Sequence, residues 1–460
     1  MKTRRFKLII ILTTVILLFT QCNWVKQAGN ITGADNGFQI VTDSLDNCYV
    51  TGNFTGKAVF GDTTITSVDT EDCYIAKYDK NGNFIWVKSF GGEGSQCGNS
   101  LAIQPNGDIL LAGNFENELL INDTIIKYGW SNSVFIVKLN DLGQIKWYKT
   151  YGNGEFNDIS EIKSDNENNI IAVGRLSDTI SIGNKSMISH GKVDGFILKL
   201  SNNGNFIWSH VLGGKDDDEI NKVSIDMQNN IYIAGESEND YSINTISNDN
   251  DSIISTNSNI SYIAKYSKNG SLLNFKKYGE GNFVETLDIK NDNNKGIYIT
   301  GFHCGPLSID KKEFPYSTSR DFDMFIAKFD DNFDFIWFNQ FYSSCNSYGH
   351  SINFDKNNNC YLTGNFCKEI QINGKKIETT GESNAIIFKF NTDGKILKYK
   401  IFSGTGNVTF WNTYISKTSD NIFSTGSFTK CFELNKNNKV NSDKDKDILI
   451  VKLSNDFWNF

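Results

Sequence analysis

The sequence has few of the residues that build metal centres, redox motifs and long helices. Its 460 residues include 4 histidines, with neither His-x-His nor HExxH spacing, and only 3 prolines. The 9 cysteines form no CxxC pair, so neither a zinc ribbon nor a redox motif is indicated. Lys and Arg number 45 against 53 Asp and Glu. A net charge of -8 without a basic cluster argues against nucleic acid as a partner.

What the sequence does contain is typical of a β-rich globular protein. Aromatic residues make up 13% of the chain and charged residues 21%, and 39 glycines accompany frequent Asn-Gly and Asp-Gly pairs. Such pairs favour tight turns between short strands. We therefore expect many short strands and no long helices.

The N-terminus has the layout of a secretory signal. Four basic residues precede an apolar run from Leu8 to Phe19, which is shorter than the ~20 residues needed to cross a bilayer. Cys22 follows directly, as in a bacterial lipoprotein signal, although Phe19 and Gln21 depart from the usual residues of that motif. We predict a signal peptide at residues 1–22 and lipid attachment at Cys22. The alternative is cleavage near Cys22 that releases a secreted protein without a lipid.

The rest of the chain, residues 23–460, repeats one phrase seven times. In each copy a Lys follows an apolar triplet and a Gly ends an earlier strand, and successive copies lie 61 to 66 residues apart. The Lys series is Lys77, Lys138, Lys199, Lys265, Lys328, Lys389 and Lys452. The Gly series is Gly52, Gly113, Gly174, Gly235, Gly301, Gly364 and Gly426. Repetition at this period indicates that one supersecondary unit builds the whole fold.

Each copy has the pattern of four short strands in meander order, with a small extra hairpin between the second and third. The third-strand triplets are apolar on successive residues, as in Tyr74, Ile75 and Ala76, so both faces of each sheet should be buried. Seven sheets stacked around an axis bury both faces and protect the edges. The predicted fold is all-β, a seven-bladed β-propeller with four-stranded antiparallel blades. The N-terminal strand near Trp24 should complete the last blade as a Velcro closure.

The phrases "GNSLAIQPNGDILLAGNF", "FIVKLNDLGQIKW" and "GFILKLSNNGNFIWSHVLGG" resemble the bacterial SBBP (seven-bladed β-propeller) repeat. This resemblance covers essentially all of residues 23–460 and implies an exported or cell-surface propeller, without implying an activity. Asn274 and Lys398 stand where the family has Trp. The phrase "DKNGNFIW" is also similar to the Trp-docking repeat of quinoprotein dehydrogenases and of outer-membrane assembly lipoproteins. The eight blades and the adjacent Cys-Cys pair of the dehydrogenases are not seen in this sequence, so the second likeness favours an assembly scaffold.

Features that every copy repeats are interpreted as scaffold, including the Lys series and the tryptophans Trp86, Trp147, Trp208 and Trp337. Function should lie where the copies differ, in the loops that enter the innermost strands at one mouth of the axial channel. Alignment on the Gly series predicts a polar ring of Asn99, Ser160, Asn221, Glu285, His350 and Asn412. Trp411 interrupts a polar loop and could offer a stacking face to a sugar or a peptide, although packing explains it as well.

Two further candidate sites involve carboxylates. The loop before the fourth copy's innermost strand carries four consecutive acids: Asp216, Asp217, Asp218 and Glu219. Oxygen at this density could bind Ca²⁺, but the DxDxDG order is missing and a solvated acidic turn is the simpler interpretation. Glu285 and His350 come from adjacent blades and are the acid and base pair that the sequence offers for a hydrolase, while a water-filled polar channel explains them equally well. No other cofactor is expected.

Eight cysteines remain after Cys22, an even number that permits disulfides in an exported protein. Cys304 and Cys367 are conceivable partners because each lies three residues past an equivalent Gly. Cys48 and Cys360 occupy an apolar strand position and are interpreted as small core residues.

Together these patterns predict an exported, surface-anchored propeller that acts as a noncatalytic binding module for a protein or glycan ligand. We expect a monomer that touches the membrane only through its lipid anchor. One alternative is a periplasmic envelope-assembly scaffold, which should present a contiguous apolar or edge-strand surface. The other is a hydrolase, which should have a carboxyl group with a strongly perturbed pKa at the channel mouth.

Overall fold

The computed structural model describes residues 23–29, 33–154, 156–238, 241–244, 259–280, 282–316, 321–442 and 445–459. Within these ranges the chain consists of strands and turns, and the only helix is a 3₁₀ turn at Phe457–Asn459. None of the described residues belongs to a helix that is long and apolar enough to cross a bilayer. The predicted signal segment, residues 1–22, and the predicted lipid attachment site Cys22 lie outside the described residues.

Seven four-stranded antiparallel blades form a ring, which confirms the predicted fold. Strands are numbered in chain order, and each blade is given from its innermost strand outward. Blade 1 contains β2 to β5, at Asn36–Thr42, Cys48–Phe60, Thr63–Tyr78 and Phe84–Phe90. Blade 2 contains β6 to β9, at Gln96–Ile103, Ile109–Ile121, Thr124–Leu139 and Ile145–Gly154. Blade 3 contains β10, β11, β14 and β15, at Asp158–Ser164, Ile170–Leu176, Asp194–Leu200 and Phe206–Gly214.

The remaining blades follow the same order. Blade 4 contains β16, β17, β19 and β20, at Asp218–Ile225, Ile231–Ser237, Ile260–Tyr266 and Leu272–Tyr278. Blade 5 contains β21, β22, β25 and β26, at Phe283–Asn291, Ile297–Cys304, Asp323–Phe329 and Phe335–Phe341. Blade 6 contains β27, β28, β31 and β32, at Ser347–Phe354, Cys360–Phe366, Asn384–Phe390 and Ile396–Phe402. Blade 7 contains β33, β34, β37 and β1, at Val408–Ile415, Ile422–Phe428, Asp447–Leu453 and Trp24–Ala28.

The first strand of the chain closes the ring. β1 pairs antiparallel with β37, with Trp24 opposite Lys452 and Ala28 opposite Ile448. Blade 7 therefore takes its outermost strand from the N-terminal part of the chain and its other three from the C-terminal part. The predicted Velcro closure is confirmed. After β37, the C-terminal residues Phe457–Asn459 form the 3₁₀ turn and do not add a strand to blade 7.

The third strands are buried on both faces, as their apolar triplets predicted. All seven residues of β14 and all seven of β37 are buried. Both faces are covered because each blade packs against a neighbour on either side, so the hydrophobic clusters contain residues of two adjacent blades. One cluster joins Val50 and Tyr74 of blade 1 to Ile448 and Ile450 of blade 7.

The predicted hairpin between the second and third strands is present in several blades. In blades 1 and 2 it is an extension of the two long strands, because Lys57 to Phe60 of β3 pairs with Thr63 to Thr66 of β4. Separate two-stranded flaps occur in blades 3, 5, 6 and 7, at Thr179–Ile182 with Lys185–Ile188 (β12, β13), Leu307–Ile309 with Lys312–Phe314 (β23, β24), Glu369–Ile372 with Lys375–Glu378 (β29, β30) and Cys431–Asn435 with Asn438–Asn441 (β35, β36). In the fourth copy the inserted strand β18, at Tyr241–Asn244, pairs with β15 of blade 3.

The repeated Lys and Trp residues join each blade to the next. This agrees with their interpretation as scaffold. Lys138 of β8 donates to the Asn202 carbonyl in the blade 3 turn at 3.3 Å, and Trp147 Nε1 donates to the same oxygen at 3.3 Å. Lys138 also lies 3.0 Å from the Asp108 carboxylate, with both side chains almost fully buried. We call this contact between a blade and the next turn a seam.

The cysteine prediction was partly wrong. Cys367 forms its disulfide with Cys345, at a Cα separation of 5.9 Å, and not with Cys304. Cys304 and Cys367 hold equivalent places on neighbouring blades, whereas Cys345 lies in the loop that enters blade 6 and passes beside the end of β28. Cys48 and Cys360 are fully buried, which confirms their interpretation as core residues.

Candidate functional site

A bulge in each innermost strand defines the residues around the channel. In each innermost strand the pairing register shifts by one residue just after the residue that pairs with the repeat Gly. The bulged residues are Phe38, Asn99, Ser160, Asn221, Leu287, His350 and Trp411. Some of them link neighbouring blades, since Asn99 Nδ2 donates to the Ile159 carbonyl at 3.1 Å and Asn221 Nδ2 to the Thr286 carbonyl at 3.4 Å.

Four of the six residues of the predicted polar ring share one structural position, and two do not. Asn99, Ser160, Asn221 and His350 occupy bulges, but Glu285 lies two residues before the bulge of its strand and Asn412 one residue after. In blade 7 the turn after the innermost strand is one residue longer than in blade 4, which displaces any alignment on the Gly. A two-residue offset keeps a strand side chain on the same face, so Glu285 still belongs to the channel, one layer nearer the mouth.

The copies differ most in this mouth layer, where each innermost strand pairs with the second strand of its blade. Four of the pairs, from blades 3 to 6, are Asp158 with Arg175, Glu219 with Glu236, Glu285 with Phe302, and Tyr348 with Asn365. Blades 3 to 5 therefore contribute charged groups, and blades 5 and 6 contribute aromatic rings. No repeated scaffold role explains these residues.

Three carboxylates converge in the layer, and we call Glu219, Glu236 and Glu285 the mouth triad. One oxygen from each lies within 4.8 Å of the others. Glu219 accepts a hydrogen bond from Arg175 Nη1 at 3.2 Å, and Glu236 Oε1 accepts one from the Thr286 amide at 3.0 Å. Among the described residues, the Glu285 carboxylate receives no hydrogen bond or ion pair. The triad is therefore an acidic site that the surrounding protein neutralises only in part.

Burial and crowding shift the proton affinity of the triad. Burial, followed by the charge of Glu219, raises the pKa of Glu285 to about 7. Burial, followed by the charges of Glu285 and Glu219, raises the pKa of Glu236 well above its usual range. Burial also raises the pKa of Glu219, although the Arg175 guanidinium opposes the shift. A carboxyl group of this kind at the mouth is what the hydrolase alternative required.

A pocket of about 920 Å³ opens between blades 3 and 4 and includes part of the triad. Its charged lining is mainly acidic, because Arg175 and Lys192 face a larger set of carboxylates: Asp178, Asp217, Asp218, Glu219, Glu236 and Glu238. Phe156 is exposed at its rim.

The four consecutive acids of the blade 4 loop do not assemble into one cation site. Asp216 pairs with Lys192 at 3.0 Å, and Asp217 lies at the pocket. Asp218 is buried, accepts a hydrogen bond from the Gly214 amide at 2.6 Å, and has its pKa raised by burial to about 8. Glu219 points instead to Arg175. Consecutive strand residues face opposite sides of a sheet, so the three-carboxylate group of the described residues combines Glu219 with acids from two other strands.

His350 and Glu285 do not form the predicted acid and base pair. The His350 ring nitrogen Nε2 is bonded to Asn365 Oδ1, and its ring lies 4.9 Å from that of Trp411. Burial lowers the pKa of His350 to about 4, so it is a neutral channel residue. Within the described part of the chain no hydrogen bond joins it to Glu285. Trp411 Nε1 is buried and has no partner there either, so packing against His350 is the contact that Trp411 makes.

An aromatic patch, which the sequence analysis missed, lies beside the triad on blades 5 and 6. We define the patch as Phe283, Phe302, Phe322 and Tyr348, whose neighbouring ring centroids lie 4.8 to 5.9 Å apart. Phe283 is 50% exposed, and it lines an apolar pocket of about 570 Å³ together with Tyr316, which is 44% exposed. Phe302 is buried beneath this surface, and the exposed part of the patch is Phe283. An exposed apolar surface beside a pocket is typical of an interaction site.

Arg175 and Glu236 were also missed, although a signal for them was present. Each directly follows a repeat Gly, a position that holds Asn in three other copies: Asn53, Asn114 and Asn365. Four copies depart from that Asn, with Arg175, Glu236, Phe302 and Ser427, and a charged residue at this position would have marked blades 3 and 4.

Comparisons with known proteins assign no function. No protein-family model matches the chain. The chain is 26% identical over 157 residues to an uncharacterized WD repeat-containing protein of Acanthamoeba polyphaga mimivirus, a match that covers 31% of this chain and 11% of the viral protein. The resemblance to the SBBP repeat therefore stays a prediction, while the seven-bladed propeller fold is confirmed.

The chain is also similar to two solved structures. A Dyadobacter fermentans protein of unknown function has a TM-score of 0.43 at 10% identity, covering 94% of this chain and 99% of that one. Sqt1 from Chaetomium thermophilum has a TM-score of 0.44 at 10% identity, covering 92% of this chain and 85% of that one. Identities this low assign no function to the chain.

Proposed function

We propose that this protein is an exported, surface-anchored β-propeller whose channel mouth binds a ligand without transforming it. The pocket of about 920 Å³ between blades 3 and 4 is the observation that carries the proposal. Its charged lining is not repeated by the other blades, whereas the seams that hold the ring together are. A rigid ring that presents unrepeated side chains on one face is suited to binding.

Export and anchoring rest on the sequence. The basic residues, the short apolar run and Cys22 form the pattern of a lipoprotein signal. A periplasmic assembly scaffold is the neighbouring alternative. The scaffold alternative predicts a contiguous apolar surface in place of a polar mouth. The aromatic patch is apolar, but it lies beside the charged mouth and does not replace it.

Replacement of Asp217 by the photocrosslinking residue p-benzoylphenylalanine tests both parts of the proposal in intact cells. We expect a covalent adduct from this position and none from the same residue placed at Ile336, which is exposed on the outermost strand of blade 5. Protease added to intact cells before irradiation should abolish the adduct.

Equal adducts at the two positions would refute a binding mouth. Protection from protease until the cells are permeabilised would refute surface anchoring while leaving the binding mouth in place, and would favour the periplasmic scaffold.

A hydrolase is a second candidate, and the Glu285 carboxyl favours it. Its pKa of about 7 and its closeness to two other carboxylates resemble the acid and base arrangement of enzymes that cleave glycosides. If the full chain turns over none of a panel of nitrophenyl glycosides, or if Glu285→Gln leaves any turnover unchanged, this candidate is removed.

A further inference from the structure

We propose that the mouth triad and the aromatic patch together bind a basic peptide segment, in which a Lys or Arg enters the triad and a neighbouring aromatic side chain packs on the patch. This inference rests on the proposed binding function and names its ligand class. Four lines of observation carry it: the charge of the layer, the arrangement around Arg175, a buried acceptor at the pocket, and the adjoining aromatic rings.

The mouth layer contains more carboxyl groups than cations, which favours a cationic ligand. Asp158 and the mouth triad supply four carboxylates, and Arg175 is the cation that contacts them among the described residues. Three carboxylate oxygens within 4.8 Å of one another repel when ionised. A Lys ammonium or an Arg guanidinium brings three to five N–H donors and removes that repulsion.

Arg175 shows how this layer receives a guanidinium. Its Nε lies 3.1 Å from Asp158 Oδ2 and its Nη1 lies 3.2 Å from Glu219 Oε2, so one cation bridges carboxylates of two blades. One blade further on, Glu219 and Glu285 take the places of Asp158 and Glu219, and the carboxyl group of Glu236 stands where Arg175 stands in blade 3. No described cation bridges these three carboxyl groups, and a ligand cation would do so.

A buried acceptor at the adjoining pocket points independently to a donor from outside. Asp218 is 1% exposed and lines the pocket, and its Oδ1 has no hydrogen-bond partner of normal geometry among the described residues, although the Ser237 hydroxyl lies close enough to lower the pKa of Asp218. An acceptor left in this state costs about 1–3 kcal/mol. A backbone or side-chain N–H from a peptide lying across the pocket would reduce that cost.

The aromatic rings fit the rest of such a segment. Burial raises the pKa of Tyr348, and the charge of Glu285 adds to that shift, so the two side chains lie near each other. Aromatic faces beside carboxylates attract ammonium and guanidinium groups, and half-exposed Phe283 offers an apolar surface at the pocket of about 570 Å³. A glycan would also use rings and carboxylates, but neutral hydroxyl groups would leave the repulsion within the triad in place. The observations therefore favour the basic peptide.

Binding should also depend on pH. Glu219 acts on both Glu285 and Glu236, Tyr348 lies near Glu285, and the Asn221 amide donates to Glu236. Asp158 and Arg175 act in turn on Glu219, and Lys222 lies near His350. Because Glu285 holds its proton up to about pH 7, an arriving cation competes with that proton. Affinity should rise about tenfold from pH 6 to pH 8, as the carboxyl ionises.

Fluorescence anisotropy with the full chain tests the inference. The probe is a fluorescein-labelled heptapeptide, Gly-Phe-Lys-Gly-Lys-Phe-Gly. Matched peptides carry Glu in place of Lys, or Ala in place of Phe, and chitohexaose serves as the glycan. At pH 8 we expect the basic aromatic peptide to bind, the Glu peptide not to bind, and the Ala peptide to bind less tightly.

The variants locate the site. Glu285→Gln and Glu236→Gln should each weaken binding of the basic peptide at least tenfold, and Phe283→Ala several-fold. The matched controls are Glu378→Gln, on the exposed blade 6 flap, and Ile336→Ala, on the blade 5 outer strand. Both controls should leave the affinity unchanged.

Each contrary result has a distinct meaning. Peptide binding that Glu285→Gln and Glu236→Gln do not weaken would overturn the inference, because it would reflect general attraction to an acidic protein. Chitohexaose binding that the mouth variants abolish, without peptide binding, would overturn the peptide ligand and leave the proposed binding function standing. No binding of either probe would overturn the inference, and the crosslinking experiment would then decide the binding function separately.

Discussion

The seams between blades and the channel mouth are built from the same strands, yet they use charged residues in opposite ways. At a seam each charge has a fixed partner: Lys199 Nζ lies 2.9 Å from Asp165 Oδ2 and 3.1 Å from the Lys268 carbonyl of the next blade. At the mouth, Glu236 and Glu285 face each other and a third carboxylate. The seam uses its polar groups for stability, whereas the mouth holds crowded carboxyl groups that a ligand cation can neutralise once they ionise.

Substitutions of repeated residues differ in the same way between the seams and the mouth. In the seam that follows blade 4, Asn274 replaces Trp, and its Nδ2 still donates to the Asn332 carbonyl of the next blade at 2.7 Å. Lys398 replaces Trp in blade 6, and its Nζ donates to the Trp458 carbonyl at 3.3 Å. Seam substitutions therefore preserve a bond. The change from Asn to Glu236 at the mouth instead introduces a carboxyl group that lies beside two others.

The largest effect should come from the seam that closes the ring. Trp24 is buried, its ring centroid lies 6.2 Å from that of Phe423, and its Nε1 donates to the Lys80 carbonyl at 3.2 Å. Trp24→Ala should lower the free energy of unfolding by about 3–5 kcal/mol, measured by urea denaturation. Ile85→Ala, on an exposed outer-strand position, is the control and should change it by less than about 0.5 kcal/mol. A smaller loss for Trp24→Ala than for the control would show that closure does not limit stability.

A seam away from the closure should give the next largest effect. Lys199→Ala leaves Asp165 buried without its ammonium partner, which should cost about 3 kcal/mol. Lys268→Ala, which removes a half-exposed ammonium paired with Glu167, should cost no more than about 0.5 kcal/mol. Equal losses for the two lysines would mean that burial of the seam pair contributes nothing.

At the mouth, the ionisation of Glu285 should make the free energy of unfolding depend on pH. The folded-state pKa of Glu285, about 7, lies above the value of 4.5 for an unperturbed glutamate, so the folded protein binds that proton more tightly than the unfolded chain. Its contribution to stability is present below pH 4.5 and is lost as the pH rises to 7. With allowance for solvent screening, that loss amounts to about 1–2 kcal/mol.

Glu285→Gln should flatten this part of the stability profile, measured by urea denaturation at several pH values. Glu378→Gln should leave the profile unchanged, because that carboxylate is exposed on the blade 6 flap. A profile for Glu285→Gln as steep as that of the natural protein would contradict a raised pKa at the mouth.

The period of the repeat was sufficient to predict the ring, because residues that recur every 61 to 66 positions report the one environment that seven copies share. It also predicted the closing strand, since Trp24 appears before any complete copy. The mouth was harder to predict. Glu236 reaches Glu219 only through the pairing of β16 with β17, and Glu285 arrives from the next blade at a height that the bulge sets. The bulged residue lies 14 positions before the repeat Gly in six blades and 15 before it in blade 7, but the spacing alone does not show which residue is bulged or which residues pair across the strands.

The predicted partner of Cys367 was wrong for a related reason. Equivalent positions in a repeat mark equivalent places on different blades, and those places are kept apart by the ring. Cys345 meets Cys367 because a loop passes the end of a strand, and the repeat carries no information about the path of that loop.

One paired measurement tests most directly whether stability lies in the seams and binding lies at the mouth. Lys199→Ala and Glu236→Gln would each be assayed at pH 8 for the free energy of unfolding and for affinity toward the basic aromatic heptapeptide. The account predicts that Lys199→Ala loses about 3 kcal/mol of stability and keeps its affinity, while Glu236→Gln keeps its stability and loses at least tenfold in affinity. If stability and affinity fall together in both variants, the division between seam and mouth is wrong.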